Sequence, residues 1–318
     1  MAAWEKVVLV TRKTRLQELV ERFNTRAQAK FYIEHGGGDF GDYEREDAAY
    51  RQALDLVRST LDAGELKLQL VDRWLVPTFL FAPSDLVVTL GQDGLVANVA
   101  KYAGAQPIVA LNPDPGRFDG VLLPFRPAAA RHAVGEVVAG RAAFREVTLA
   151  EAVLADGQRL LAFNDFFIGA KSHVSARYRI EAGGRAEAHS SSGVLVSTGA
   201  GSTGWLSSTF NMAAGIAAFT SVLAGATPPG VTPVLRLPWD DPRLVFVVRE
   251  PFVSKHSQAG IVAGVLGPGE ALALESYMPQ QGVIFSDGVE ADALGFNAGA
   301  IAHVRAAAQR ARLVVPRQ

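Results

Sequence analysis

The sequence predicts an α/β plus β architecture, in which an amino-terminal doubly wound α/β domain precedes a carboxyl-terminal β-rich, sandwich-like domain. Three observations predict it. Apolar strand-type runs alternate with helical stripes between Lys6 and Leu111, the pattern of a mostly parallel sheet covered by helices. Beyond about residue 125 that alternation gives way to short strand runs separated by Gly- and Pro-rich turns. The chain is also long, with 318 residues, 49% of them apolar and 20% charged, enough for two structural units with a substantial core.

Lys6-Val7-Val8-Leu9-Val10 is a strand-type run, and Leu16, Leu19, Val20 and Phe23 then repeat at helical spacing. Tyr50, Ala53, Leu54, Val57 and Leu61 form a second helical stripe, followed by strands over Asp85 to Leu90 and Pro107 to Leu111. Between the two stripes, His35-Gly36-Gly37-Gly38-Asp39-Phe40-Gly41 is expected to be a mobile loop, because consecutive glycines leave the backbone unrestrained. Further on, Ser175 to Ile180 and Arg185 to His189 flank Ala182-Gly183-Gly184, a hairpin signal. More strands are expected at Gly193 to Val196, Leu244 to Val248, Ala271 to Leu274 and Gly282 to Phe285. Ala302 to Leu313 reads as a helix with arginines on one side. The expected division is a nucleotide-phosphate domain over 1–125, to which 289–318 return, and a dinucleotide-binding domain over 126–288.

Composition removes several function classes. Lys and Arg number 31 against 32 Asp and Glu, so the net charge of −1 offers no global field for nucleic acid or an anionic membrane. With no cysteine there is no disulfide, thiolate nucleophile or iron–sulfur cluster, and a cytoplasmic protein is expected. The apolar run after Met1 covers only Val7 to Val10, too short for the core of a signal peptide. Met212 to Ala226 is the longest apolar stretch; it stops at Thr227-Pro228-Pro229, short of a membrane span, and is expected to be buried. The six histidines show no metal-ligand spacing.

Gly91-Gln92-Asp93-Gly94-Leu95 closes a buried strand, at the carboxyl edge where open α/β sheets bind ligands. Glycine lets a backbone approach phosphates, and a carboxylate can take a proton from an attacking hydroxyl; an ordinary strand-ending turn uses the same residues. Ser197-Thr198-Gly199-Ala200-Gly201-Ser202-Thr203-Gly204-Trp205 is more distinctive, since its glycines and hydroxyls can wrap a diphosphate and Trp205 can pack on a flat base. Asn164-Asp165 puts an amide and an acid inside an apolar stretch, where a ribose diol or a backbone-capped turn would satisfy them equally well. Asn112-Pro113-Asp114-Pro115-Gly116 and Ser286-Asp287-Gly288 carry the residues of turns.

Taken in order, these pieces resemble the NAD kinase family, whose sequences carry a Gly-Gly-Asp-Gly-Thr segment, an Asn-Glu pair, a Gly/Ser/Thr loop and a late Asp-Gly. The likeness is closer to the mitochondrial-type branch, through Asn112-Pro-Asp-Pro115, Asn164-Asp-Phe-Phe-Ile-Gly169, Ser191-Ser-Gly193, Thr198-Gly-Ala-Gly-Ser202 and Arg249-Glu-Pro251, and Gly295-Phe-Asn-Ala-Gly-Ala-Ile-Ala302 extends it. The resemblance implies a kinase that phosphorylates the adenosine ribose 2′-hydroxyl of NAD to give NADP, with Asp93 as general base. It further implies that Gly94, Asn164, Asp165, Thr203, Gly204 and Ser208 bind NAD, and that Gly91, Thr198, Gly199, Gly201 and Ser202 contact phosphates. Magnesium would arrive with ATP and not be held by the protein alone; the partners would be NAD and ATP, with subunits paired in a homodimer or higher oligomer. The chain departs from the family pattern at Gln92, Leu95 and Asp165. A left-handed Gln92 would cost about 1–2 kcal/mol and a lost threonine hydrogen bond about 1 kcal/mol, which predicts a weakened kinase. A non-catalytic nucleotide-binding protein and a related kinase acting on a lipid or sugar hydroxyl are the alternatives.

Overall fold

The computed structural model describes residues 4–225 and 235–317. Packing divides the chain into one unit of Met1–Arg145 with Arg312–Gln318 and a second of Glu146–Ala311.

The first unit runs β1 (Lys6–Thr11), α1 (Arg15–Phe23), α2 (Arg26–His35), α3 (Phe40–Asp62), β2 (Lys67–Asp72), β3 (Asp85–Leu90), α4 (Asp93–Ala100), β4 (Pro107–Leu111) and α5 (Ala130–Val138). Its strands pair in parallel in the order β2-β1-β3-β4. All residues of β3 and β4 are buried, as expected of central parallel strands covered on both faces. Tyr50, Ala53, Val57 and Leu61 of α3 pack on Leu9, Leu86, Val88 and Val109. α1 starts where Thr14 and Gln17 cap each other, each side chain taking the other's backbone N–H.

The second unit continues with β5 (Ala143–Leu154), β6 (Arg159–Ala162), β7 (Asp165–Ala170), β8 (Ala176–Ala182), β9 (Arg185–Ser191), β10 (Val194–Ser197) and α6 (Trp205–Leu223). There follow β11 (Leu244–Val248), β12 (Ala263–Leu266), β13 (Leu272–Ser276), β14 (Gly282–Ser286), β15 (Val289–Gly295) and β16 (Ile301–Val315). One sheet is ordered β12-β11-β10-β7-β14-β15. Strands β9, β8, β13 and β16 lie opposite it, and the inward side chains of both layers, among them Phe166, Ile168, Tyr178, Phe246 and Leu274, form one core. The hairpin expected around Gly183-Gly184 joins β8 and β9, with both glycines at positive φ (57° and 74°), as a two-residue type I′ turn requires.

Three expectations are corrected. Ala302 to Leu313 is strand, not helix: within β16, Ala302 and Val304 are buried while Ile301, His303 and Arg305 are exposed, a period of two. Ladder pairing with Leu272 to Glu275 overrides the helical propensity of the alanines. The last residues of β16 pair elsewhere, Arg312 with Pro107 and Leu313 with Ile108 in the first unit.

The tract from His35 to Gly41 closes as a turn between two helices. α2 extends through His35, Gly36 caps it, Gly37 takes φ +78°, and the Asp39 carboxylate accepts the Gly41 N–H at 2.8 Å to start α3.

The apolar stretch beginning at Met212 belongs to α6 and is exposed, not buried. Only Leu206 of that helix is buried, while Phe219 and Leu223 are 65% and 75% exposed. Ser207, Ser208, Thr209, Asn211, Thr220 and Ser221 are spread around the helix among its apolar residues, so no polar face stands opposite an apolar one. At 19 residues it is long and apolar enough, by length and composition alone, to cross a bilayer. Its expected end at Thr227-Pro228-Pro229 lies outside the described residues.

Candidate functional site

In the first unit the register aligns Val10 with Thr89, Thr89 with Ala110 and Leu90 with Leu111. The residues just past the three strands, Arg12, Gly91 and Asn112, therefore form one row at the carboxyl edge of the sheet, the edge at which such sheets take ligands. From this row α4 begins at Asp93. One carboxylate oxygen of Asp93 accepts the Leu122 N–H at 2.7 Å, which fixes the side chain; among the described residues none donates to its second oxygen.

Gln92 sits at φ −96° and ψ 169°, ordinary extended backbone, so the anticipated left-handed strain does not arise. Leu95 is buried, and its Cδ2 lies 2.7 Å from where a Cβ on Gly91 would stand. A side chain at 91 would crowd the buried Leu95, so the two residues read as a matched pair. Gly94 is exposed, with nothing within 4 Å of the position a Cβ would take.

In the second unit Phe163 and Asn164 form the turn between β6 and β7, Asp165 opens β7, and the backbone N–H groups of all three point at one carboxylate. Asp287 accepts Phe163 N–H at 2.9 Å, Asn164 N–H at 2.6 Å and Asp165 N–H at 3.3 Å, and returns its own N–H to the Asp165 carbonyl at 3.0 Å. Asp287 and Gly288 form the two-residue turn between β14 and β15, both at positive φ, 55° and 69°. Ser286-Asp287-Gly288 is therefore a turn whose aspartate also braces a second turn far away in sequence.

The glycine- and hydroxyl-rich loop braces the same turn from the other side. Thr198 donates its hydroxyl to the Phe163 carbonyl at 2.6 Å, and its backbone N–H goes to the Asn164 carbonyl at 2.9 Å. Ser202 donates to the Gly199 carbonyl at 2.7 Å and accepts the Leu237 N–H. A Cβ on Gly201 would stand 2.2 Å from the Asn164 carbonyl oxygen, and one on Gly199 1.9 Å from that of Pro238. Thr198 and Ser202 are buried and their hydroxyls committed internally, whereas Thr203, Gly204 and Ser208 at the start of α6 are exposed.

Burial, and after it repulsion from Asp287, raises the Asp165 carboxyl to about 7. That folded value lies above the ordinary 3.8, so between them the folded state holds more protons than the unfolded one. The sign follows from linkage: this group's penalty is absent at low pH, grows as pH rises through the window, and is constant above about 7. Asp165→Asn removes the ionisation and is expected to stabilise the protein more at pH 8 than at pH 5, by about 2–3 kcal/mol at 1.36 kcal/mol per pH unit. Urea denaturation at the two pH values measures it; an equal effect at both would refute the assignment.

Asp165 and Phe167 share a face of β7. On that face Phe167 stacks against Trp205 (5.8 Å between centroids, 11°) and Phe285 (5.0 Å), with the Arg249 guanidinium 5.2 Å from the Trp205 centroid. These four residues, with Lys171 and Glu290, line a pocket of about 240 Å³, a surface for a flat ring bearing negative charge.

The structure thus brings Gly91, Asp93 and Gly94 together in the first unit. In the second it brings together Asn164, Asp165 and the loop Thr198 to Ser202. Sequence reasoning missed Arg12, which nothing local marks, and the bracing role of Asp287, whose partners lie 122 to 124 positions away. Among the described residues no group of three or more His, Asp or Glu side chains could hold a metal ion.

No family model matches the chain, and no curated protein does. Solved structures do. A yeast NADH kinase complexed with NADH superposes with a TM-score of 0.57 at 18% identity, over 98% of this chain and 84% of that one. An NAD kinase from Archaeoglobus fulgidus in complex with ATP superposes with a TM-score of 0.54 at 15% identity, over 96% of this chain and 92% of that one. The fold, an amino-terminal α/β unit with a carboxyl-terminal β-rich unit, is shared with these kinases.

Proposed function

We propose that this chain is an ATP-dependent NAD kinase that phosphorylates the adenosine ribose 2′-hydroxyl of NAD, with Asp93 as the general base. One observation carries the reading: a carboxylate at the carboxyl edge of a parallel sheet, held through one oxygen by the Leu122 N–H, with its other oxygen available for a proton. The two kinases of the same fold, solved with NADH and with ATP, support a dinucleotide acceptor and an ATP donor.

Asp93 takes the 2′-hydroxyl proton as the ribose oxygen attacks the γ-phosphorus. The bond from that phosphorus to the β–γ bridging oxygen breaks, and ADP and NADP leave. Asn164 supplies an amide, and Asp165, near half protonation at neutral pH, can both donate to and accept from a vicinal diol. Thr203, Gly204 and Ser208 offer exposed groups for the adenine side of NAD. Gly94, exposed in the first turn of α4, presents backbone to phosphates, while Gly91, whose N–H goes to the Leu111 carbonyl, contributes by keeping the turn free of a side chain. The loop Thr198, Gly199, Gly201 and Ser202 acts through its backbone and by fixing the Asn164 carbonyl. Magnesium would enter on the phosphates of ATP and neutralise their charge. The subunits are proposed to pair, since α6 exposes Met212, Ile216, Phe219 and Leu223 along one stripe of a helix that carries no charge. A single-chain mass by sedimentation equilibrium would remove that pairing.

The test is direct. Purified protein incubated with ATP, magnesium and NAD is expected to form NADP, detected with an NADP-specific dehydrogenase; no product from correctly folded protein overturns the reading.

A further inference from the structure

We propose that Arg12 is the fixed cation that binds the phosphate chain of the phosphoryl donor at the Gly91 to Gly94 turn. The inference rests on the kinase reading for the identity of the turn, and on the surroundings of Arg12 for the rest.

Arg12 follows β1 directly, and the strand register sets it beside Gly91. Its Cδ lies 3.6 Å from where a Cβ on Gly91 would stand, so the side chain runs along the turn itself. The side chain is 10% exposed. Its guanidinium carbon lies 5.4 Å from the centroid of the Tyr50 ring and 6.0 Å from that of Phe118. Tyr50 also fixes the backbone here, accepting the Arg12 N–H at 3.0 Å and donating to the Leu90 carbonyl at 3.1 Å, which ties the ends of β1 and β3 together.

The guanidinium is held but not saturated. Nη2 donates to Glu46 at 3.0 Å and Nη1 to the Lys13 carbonyl at 3.0 Å, while Nε is buried without a partner among the described residues. Glu46 is not reserved for Arg12, since Arg15 binds its other oxygen. A buried N–H that donates to nothing is uncommon in a folded protein. Here it belongs to a side chain that is always charged, that two aromatic rings and a carboxylate hold in place, and that borders a glycine at the ligand-binding edge of a parallel sheet. A phosphate oxygen arriving at the turn would accept that N–H in a charge-assisted hydrogen bond.

The matching ligand chemistry is a phosphoanhydride chain, which a nucleoside triphosphate and inorganic triphosphate share. The experiment uses the full chain with magnesium and follows the Arg12 ¹⁵Nε–¹H resonance, assigned by its absence in Arg12→Lys. Titration with ATP and with inorganic triphosphate is expected to shift it, and NAD alone is expected not to. Equal shifts from both donors assign the contact to the phosphate chain and not to the base. In parallel, Arg12→Gln is expected to weaken ATP binding by about 10- to 100-fold, the range for a lost hydrogen bond to a charged group, with NAD affinity unchanged by calorimetry. An unmoved resonance in wild-type protein with ATP bound overturns the proposal, as does a variant that loses NAD and ATP affinity equally. If ATP moves the resonance but no NADP forms, the kinase reading falls and Arg12 stands. If NADP forms at the same ATP KM in Arg12→Gln, Arg12 falls and the kinase stands.

Discussion

Asp93→Asn is expected to lower kcat for NADP formation by about 10²- to 10⁴-fold, the usual worth of a general base, with little change in KM for either substrate. The substitution is nearly isosteric, and the amide oxygen can still accept the Leu122 N–H that fixes the side chain. What disappears is the capacity to take a proton. Loss of turnover together with an unchanged melting temperature would place the effect on chemistry; equal rates in mutant and wild type would end the assignment. Asp93→Ala makes a useful companion, because it also frees the Leu122 N–H and is expected to cost some stability as well as activity.

The second large effect is at Asp287. Asp287→Ala leaves the N–H groups of Phe163, Asn164 and Asp165 without their shared acceptor. It also puts alanine at φ +55°, where a side chain without local hydrogen bonding is strained. Destabilisation on the order of 3 kcal/mol is expected, with a rise in KM for NAD that exceeds any rise in KM for ATP. Asp287→Asn tolerates the left-handed backbone and keeps one acceptor oxygen, so it should fall between alanine and wild type. It also removes the charge that repels Asp165. The pH profile of NAD binding should therefore move to lower pH, although burial, the larger cause, remains. Urea denaturation and steady-state kinetics give both readouts, and an alanine variant as stable and as tight for NAD as wild type would show that the bracing is incidental.

Much of the first unit is legible in the sequence because its strands are buried on both faces and read as unbroken apolar runs. β3 and β4 begin and end where those runs do. The same holds for β11, and Gly183-Gly184 identifies a hairpin on backbone grounds alone. β16 is not legible, since Ala306-Ala307-Ala308 and the arginines favour a helix locally and only its distant partners decide otherwise. α6 misleads in another way: apolar composition states a preference for burial but not whether anything covers the helix.

At the candidate site the carriers of chemistry, Asp93, Asn164 and Asp165, stand out as polar residues in apolar or glycine-rich surroundings. The residues that hold them do not. Arg12 looks like any charged residue after a strand, and Leu95, a departure from the family pattern, is explained only by its contact with the space beside Gly91. Asp287 carries the Asp-Gly signature of a hairpin turn, which conceals its second task, because that task depends on a carboxylate reaching N–H groups brought near by folding.

The long strand β16 has a consequence for how the protein is made. Its early residues pair with β13, and Arg312 and Leu313 near its end pair with β4. During synthesis β4 is produced long before its neighbour on that side, so the nascent amino-terminal sheet must wait with that edge unpaired until β16 has left the ribosome. An open strand edge is a template for pairing with other chains, and contacts this distant in sequence form slowly. Emergence of β16 is therefore the step at which that edge gains its partner, and the interval before it is when the new chain is most exposed to association with its neighbours.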